Sequence, residues 1–214
     1  MRRTPDRRCF RPHERRLVDR LSTPRLVQEW LRTLGYNHEP RGPVLRTFRG
    51  IVRHGEAHCL EGALAAATIL EQHGDPPIVL DLASQDRLDH VLFLYRRDGR
   101  WGAVGKSRDP GLGGRKPVFR TIRDLVFSYV DPYVDDSGRI VGYGVFDLDE
   151  LTRADWRLGD HQVWSLERAL FASPHVKLRA SDRRHRQALR RYRVYRTRFP
   201  HGTATDYSGW ERWL

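Results

Sequence analysis

Three side chains in the middle of the chain have the types and the order that nucleophilic acyl chemistry needs: Cys59, His90 and Asp109. A thiol attacks a carbonyl as its thiolate, so it requires a base within hydrogen-bond reach and a positive environment. The base in turn requires a third group that fixes its tautomer and stabilises its cation. In that scheme Cys59 is the nucleophile, His90 holds and later donates the proton, and Asp109 orients the imidazole. Each residue alone is commonplace, since a single cysteine in an Ala/Leu-rich segment packs as a small hydrophobe more often than it reacts. Their order and local context together carry the reading.

The elements that must position them are legible. Cys59 opens the run CLEGALAAATILEQH, stopped by Gly74. It predicts a helix with the thiol at its N-terminus, where the helix dipole favours thiolate. Strands are predicted over Pro77–Ala83, His90–Arg96 and Trp101–Ser107, the last two joined by Arg97-Asp98-Gly99-Arg100. Asp-Gly between two apolar runs signals a two-residue hairpin turn. Arg97 then faces Arg100 and His90 faces Ser107, which leaves Asp109 diagonally on the face of His90. An antiparallel sheet packed on the Cys59 helix buries both apolar faces and sets the thiol over the strand ends.

Elsewhere, Thr23-Pro24 followed by Leu26, Val27, Trp30 and Leu31 reads as a capped amphipathic helix ending near Gly35. The segment Asn37–Gly55, rich in Pro and Gly, reads as extended or irregular. Thr121 and Asp124 begin a helix through Tyr129, Arg139–Phe146 is a strand, and Ser165–Phe171 and Ser181–Arg196 are helices.

The stretch His58-Cys59-Leu60-Glu61-Gly62-Ala63-Leu64, the strand start Asp89-His90-Val91, and Gly99-Arg100-Trp101 leading to Asp109-Pro110 resemble the core of the transglutaminase-like superfamily, a branch of papain-like cysteine-protein folds. The resemblance covers about residues 50–115. It implies an α+β fold in which Cys opens a helix and His and Asp follow on adjacent strands, mapping onto Cys59, His90 and Asp109. It implies protein crosslinking, peptidase or amidase chemistry through a thioester, with leader-peptide-cleaving proteins of bacterial peptide maturation sharing the Cys-Leu-x-x-Ala-Leu helix start. Where the family places an oxyanion-stabilising aromatic just before the cysteine, this chain has Arg53, His54, Glu56 and His58. The oxyanion expectation therefore falls on the Cys59 N–H with His54, and His58 and Ser107 are the other candidates around the nucleophile.

The formal charge is +12, and it sits at the ends. Residues 1–20 hold eight arginines, and residues 177–198 hold ten Lys/Arg against Asp182 alone, while the centre is nearly neutral. The expected organisation is a basic N-terminal arm (1–13), a transglutaminase-like domain (14–176) and a basic helical C-terminal extension (177–214). The basic stretch 177–198 could bind nucleic acid or an acidic partner by Coulomb attraction, or be a solvated face in an arginine-biased sequence. No window is apolar enough to span a membrane and no secretory signal pattern is present, so the expected location is cytoplasmic. With two cysteines, Cys9 and Cys59, in different contexts, no disulfide framework is expected.

Competing motifs are weaker. Gly105-Lys106-Ser107 lacks the upstream glycine of a phosphate-binding loop and meets Asp109-Pro110-Gly111 where a helix would have to start, so Lys106 reads as an exposed strand residue. His54, His58 and Cys59 have zinc-ligand chemistry, but Gly55 interrupts the helix that would align them. No metal and no cofactor is expected. The tryptophans, Trp101, Trp156, Trp164, Trp210 and Trp213 among them, read as core and lid aromatics. The leading function is cysteine-dependent hydrolysis or transfer on a peptide or amide. The alternatives are a non-catalytic binding or scaffold protein using its basic ends, and a related fold in which Cys59 is purely structural.

Overall fold

The computed structural model describes residues 4–40 and 42–200 of the chain; Trp210 and Trp213 lie outside them. Helices α1 (Pro12–Arg20) and α2 (Pro24–Thr33) each start with proline, where no N–H is needed, and Thr23 accepts from the Leu26 N–H at 3.3 Å to cap α2. A two-residue strand β1 (Gly35–Tyr36) is followed by an irregular stretch and α3 (Phe48–His54). Strand β2 (Glu56–Ala57) pairs in parallel with β1 and feeds directly into α4 (Cys59–Glu71). Then come β3 (Ile78–Ser84), β4 (His90–Arg97), β5 (Arg100–Val104), β6 (Arg115–Phe119), α5 (Ile122–Val130), β7 (Ile140–Asp147), α6 (Leu148–Leu151), α7 (Trp164–Ala172), β8 (Val176–Lys177) and α8 (Asp182–Arg198).

The large sheet has the order β6-β5-β4-β3-β7-β8, and every pairing in it is antiparallel. This is an α+β architecture with helices on both faces. Alternate side chains divide the core: Val79, Val91, Phe93 and Val104 pack toward α2, α3 and α4, whereas Leu80, Leu82, Leu92 and Leu94 pack with Leu125, Val126 and Tyr129 of α5. Helix α4 carries apolar residues all round because it is enclosed, every residue from Leu60 to Glu71 being buried. Asp98 and Gly99 have φ of 48° and 73°, as a two-residue turn with both central residues left-handed requires. Arg97 faces Arg100 and Phe93 faces Val104, the register derived from the turn.

Three expectations change. First, α3 forms inside the segment expected to be irregular. Thr47 caps it, Phe48 and Ile51 bury one face, and Gly55 ends it at φ 70°. Second, β5 stops at Val104 rather than Ser107. The buried Gln28 side chain donates to the Gly105 carbonyl and accepts from its N–H, both at 2.9 Å, taking bonds that a ladder would use. Third, Lys106 is not exposed. It is 8% accessible, its Nζ donates to the Leu34 carbonyl, and burial lowers its pKa.

The charged ends are tied to this body. Phe10 is buried against Phe48, the Gln72 amide donates to the Pro5 carbonyl, and Arg49 bridges Glu14 and the Cys9 carbonyl. Helix α8 docks through Arg184 on Asp131 (2.6 Å), Arg193 on Asp136 (2.9 Å) and Asp182 on Arg139 (2.7 Å). Among the described residues no helix is long and apolar enough to cross a membrane.

Candidate active site

Cys59 is the first residue of α4, and two local devices fix that start. Glu61, two residues on and fully buried, accepts from the His58 N–H at 3.0 Å, the Asn37 side-chain amide at 3.1 Å and the Arg46 N–H at 2.9 Å. One carboxylate thus ties the helix start to two loops, satisfying N–H groups that a helix terminus leaves open. On the next turn side, a Cβ on Gly62 would stand 2.5 Å from Lys106 Cβ, so only glycine lets the 105–109 segment cross α4 this closely.

The Cys59 sulfur lies 3.8 Å from the Asp89 carbonyl, immediately before β4, and His90 opens that strand opposite Leu82 of β3. His90 is 4% exposed and its Nε2 sits 2.8 Å from the Leu112 carbonyl. A carbonyl oxygen only accepts, so Nε2 carries the proton and Nδ1 is left for exchange with the sulfur. His58 repeats the arrangement, its Nε2 standing 3.2 Å from the Val44 carbonyl. Burial pushes the Cys59 thiol up, but hydrogen bonds and charge from His58 and His90 outweigh it and bring the pKa down to about 5. Burial opposes the His58 cation, yet its hydrogen bond to Cys59, the thiolate charge and Glu61 raise it to about 9. The pair is an imidazolium and a thiolate at neutral pH, in a cleft of about 390 Å³.

The third member of the sequence-derived set is placed differently. Asp109 lies on the same cleft, but its carboxylate pairs with Arg108 at 3.5 Å, and the His90 ring is held by Leu112. The cause is the early exit of β5: the β4–β5 register ends at Phe93 and Val104, so the His90–Ser107 pairing from which the place of Asp109 was expected does not form. Instead a short helical turn, Pro110–Leu112, carries the carbonyl to the imidazole. Arg115 shapes that turn. Its buried guanidinium donates to the carbonyls of Gly111 (2.8 Å), Gly113 (2.9 Å) and Gly114 (3.1 Å) and lies 4.0 Å over the Tyr129 ring.

Of the other candidates, His58 is in the cleft as described. Ser107 also lines it, with its hydroxyl accepting from the Asp109 N–H at 3.0 Å. His54 is exposed at the end of α3 and does not line the cleft, so the expected oxyanion role and any joint ligand set with His58 and Cys59 are not formed. Among the described residues no group of three or more His, Cys, Asp or Glu is arranged to hold a metal. Nor does any described tryptophan line the cleft; Trp156 is buried in the core. The aromatic beside the nucleophile is Tyr36. It stands opposite Ala57 in the β1–β2 pair, two residues before Cys59, and lines the cleft. Burial and the Cys59 charge push its pKa to about 12, which keeps the hydroxyl a donor.

Sequence reasoning also missed Asp81 and His175. Asp81, on β3, is buried in the cleft floor and takes a hydrogen bond from His175 Nε2 at 3.1 Å, while His175 Nδ1 faces the Ser173 carbonyl at 2.9 Å. A lone Asp inside an apolar strand, IVLDLAS, was the available signal. No family model matches the chain.

Proposed function

We propose that this protein performs cysteine-dependent acyl chemistry on a peptide or amide, on a transglutaminase-like scaffold, with hydrolysis favoured over transfer. The observation that carries this reading is the Cys59 thiol brought to a pKa of about 5 by two histidines whose Nε2 atoms are both engaged by main-chain carbonyls. Burial alone would have driven the thiol the other way, so the arrangement is one that favours thiolate against its own desolvation.

In the proposed cycle the Cys59 thiol proton passes to His90 Nδ1, Sγ attacks the carbonyl carbon, and a C–S bond forms as the carbonyl π electrons move onto oxygen. The oxyanion is met by the Cys59 N–H at the α4 terminus and by the protonated Tyr36 hydroxyl. His90 Nδ1 gives its proton to the leaving nitrogen as the C–N bond breaks, which leaves a thioester. Water then attacks, its proton passes to His90 Nδ1, and the acid departs as the thiolate is regenerated. His58 stays cationic beside the sulfur, and the Leu112 carbonyl, not Asp109, orients His90. His175 and Asp81 take no part in these steps.

Acid-quenched mass spectrometry of the full chain mixed with peptide and amide libraries tests the cycle. An acyl adduct on Cys59, absent in Cys59→Ala and slowed to release in His90→Ala, is the expected result. Added methylamine separates the fates, because transfer gives the methylamide and hydrolysis the acid. Libraries that remain intact with Cys59 unmodified would sink the proposal.

A second reading, polyanion binding by α8, rests on one observation: within that helix only Ala188 is buried, while Arg183, Arg186 and Arg190 face outward. Such binding should weaken steeply with salt and survive Cys59→Ala.

A further inference from the structure

The chain as a whole is strongly basic, yet the cleft around Cys59 is acidic. Seven carboxyl groups line it together with the Cys59 thiolate, against the His58 cation and two arginines, Arg87 and Arg108, both exposed on its rim. The carboxyls are the more deeply set. Burial and the neighbouring Asp89 raise Asp81 against its bond from His175. Burial raises Asp89 as well, with Asp86 adding to it against a main-chain hydrogen bond at Ser84 and the His175 charge. Burial raises Glu167, with Glu39 and Cys59 adding to it against His58. Carboxylates crowded in this way repel one another and the thiolate, and a cation placed among them relieves that repulsion.

An independent observation points the same way. Asp81 is 1% exposed; its Oδ2 is held by His175, and its Oδ1 is buried with no hydrogen-bond partner although the residue forms part of the cleft wall. A buried carboxylate oxygen without a donor is costly and unusual, and a donor arriving through the cleft would satisfy it. The cleft also presents exposed apolar surface: Leu88 and Phe171, both cleft residues, are 63% and 58% exposed. Long basic side chains lay their aliphatic stems on such surface while the charged head seeks carboxylates. The arginines of the surface oppose a cation only weakly at a distance, since exposed charges are screened beyond about 8 Å at physiological salt while half-buried carboxylates are screened less.

We infer that the cleft selects a peptide with a basic side chain, arginine or lysine, seated beside Cys59 against Asp81, Asp89 and Glu167, with its stem on Leu88 and Phe171. This rests on the peptide-directed reading above and names the substrate class for it.

The test uses binding, so that it does not depend on turnover. Acetylated tetra-alanine amides carrying one arginine at each position in turn, and their neutral citrulline twins, are titrated by calorimetry into the full chain with Cys59→Ala. The expected result is one register in which arginine binds at least tenfold more tightly than citrulline. That preference should fall at least threefold in Glu167→Gln and vanish in Asp81→Asn. The citrulline comparison leaves the protein unaltered, so it decides the matter even if Asp81→Asn fails to fold. Equal binding of every basic peptide and its neutral twin, or no binding by any arginine or lysine peptide, overturns the inference. So does a gain that requires only a free α-amine, tested with unacetylated peptides. Lysine versions separate ammonium from guanidinium recognition, and either one binding above its neutral twin supports the assignment. The thioester experiment on wild-type protein reads the acyl chemistry separately, so either idea can fail alone.

Discussion

Cys59 should be alkylated by iodoacetamide almost as fast at pH 6 as at pH 9. With its pKa brought from 9.0 to about 5, the thiol is about nine-tenths thiolate at pH 6, whereas an unperturbed thiol is about one part in a thousand. A less basic thiolate is also a weaker nucleophile. With a Brønsted coefficient of about 0.45, that difference in basicity lowers the intrinsic rate roughly 60-fold. The two effects leave Cys59 ahead of an ordinary thiol by only about 15-fold at pH 6, and behind it at pH 9. A single rate is therefore a poor test, and the cleft would slow both rates by a common factor. The ratio of rates at the two pH values cancels both complications: about 0.9 for Cys59 against about 0.002 for an unperturbed thiol. Peptide mass spectrometry resolves Cys59 from the exposed Cys9. His58→Ala and His90→Ala each remove a hydrogen bond and a charge that hold the thiolate, so each should move the midpoint upward and lower the ratio. A wild-type ratio near 0.002, or labelling of Cys59 only in denaturant, would refute the ion pair and leave a structural cysteine.

Three substitutions probe the scaffold. Asp109→Asn should leave the Cys59 midpoint and peptide turnover within about threefold, because the Leu112 carbonyl holds His90; a loss of about a thousandfold or more in turnover would return Asp109 to the orienting role. Arg115→Met leaves the carbonyls of Gly111, Gly113 and Gly114 without their charged donor and should cost about 3 kcal/mol, seen as a melting temperature lowered by roughly 6–12 °C. It should also raise the Cys59 midpoint as the Leu112 turn loosens, and an unchanged melt would show that the guanidinium does not organise the turn. Gly62→Ala reverses a common sign: in an open helix it would stabilise by up to about 1 kcal/mol, but the 2.5 Å approach to Lys106 should make it destabilising by about 1–3 kcal/mol in denaturant unfolding. A stabilised variant would mean that the Lys106 segment gives way freely.

Much of the site was legible because its parts are set locally. The CLEGALAAATILEQH run fixes a helix from Cys59 by propensity and by the Glu61 cap, and Asp98-Gly99 fixes the hairpin and its register through two left-handed residues. Adjacent residues His58 and Cys59 are then bound to share a helix start. The antiparallel hairpin followed from the same short-range rules, and the α+β class was what the resemblance implied.

What lay beyond them depended on contacts between distant segments. Gln28 takes up the Gly105 N–H and carbonyl, the ladder ends at Val104, and the His90 imidazole meets the Leu112 carbonyl in place of a partner set by the strand register. A sequence pattern of period two cannot announce where a strand is cut short by a side chain 77 residues earlier. Tyr36 reaches the nucleophile through a parallel pairing with Ala57, and Asp81 meets His175 across 94 residues of chain. Local propensity places Cys59 and His90 on their elements, because each element is stabilised by its own neighbours. Which carbonyl, phenol and carboxylate surround them was decided only when the sheet edge, the β1–β2 pair and α7 closed over one cleft. Those partners are specified by packing and hydrogen-bond satisfaction, to which no local pattern is tied.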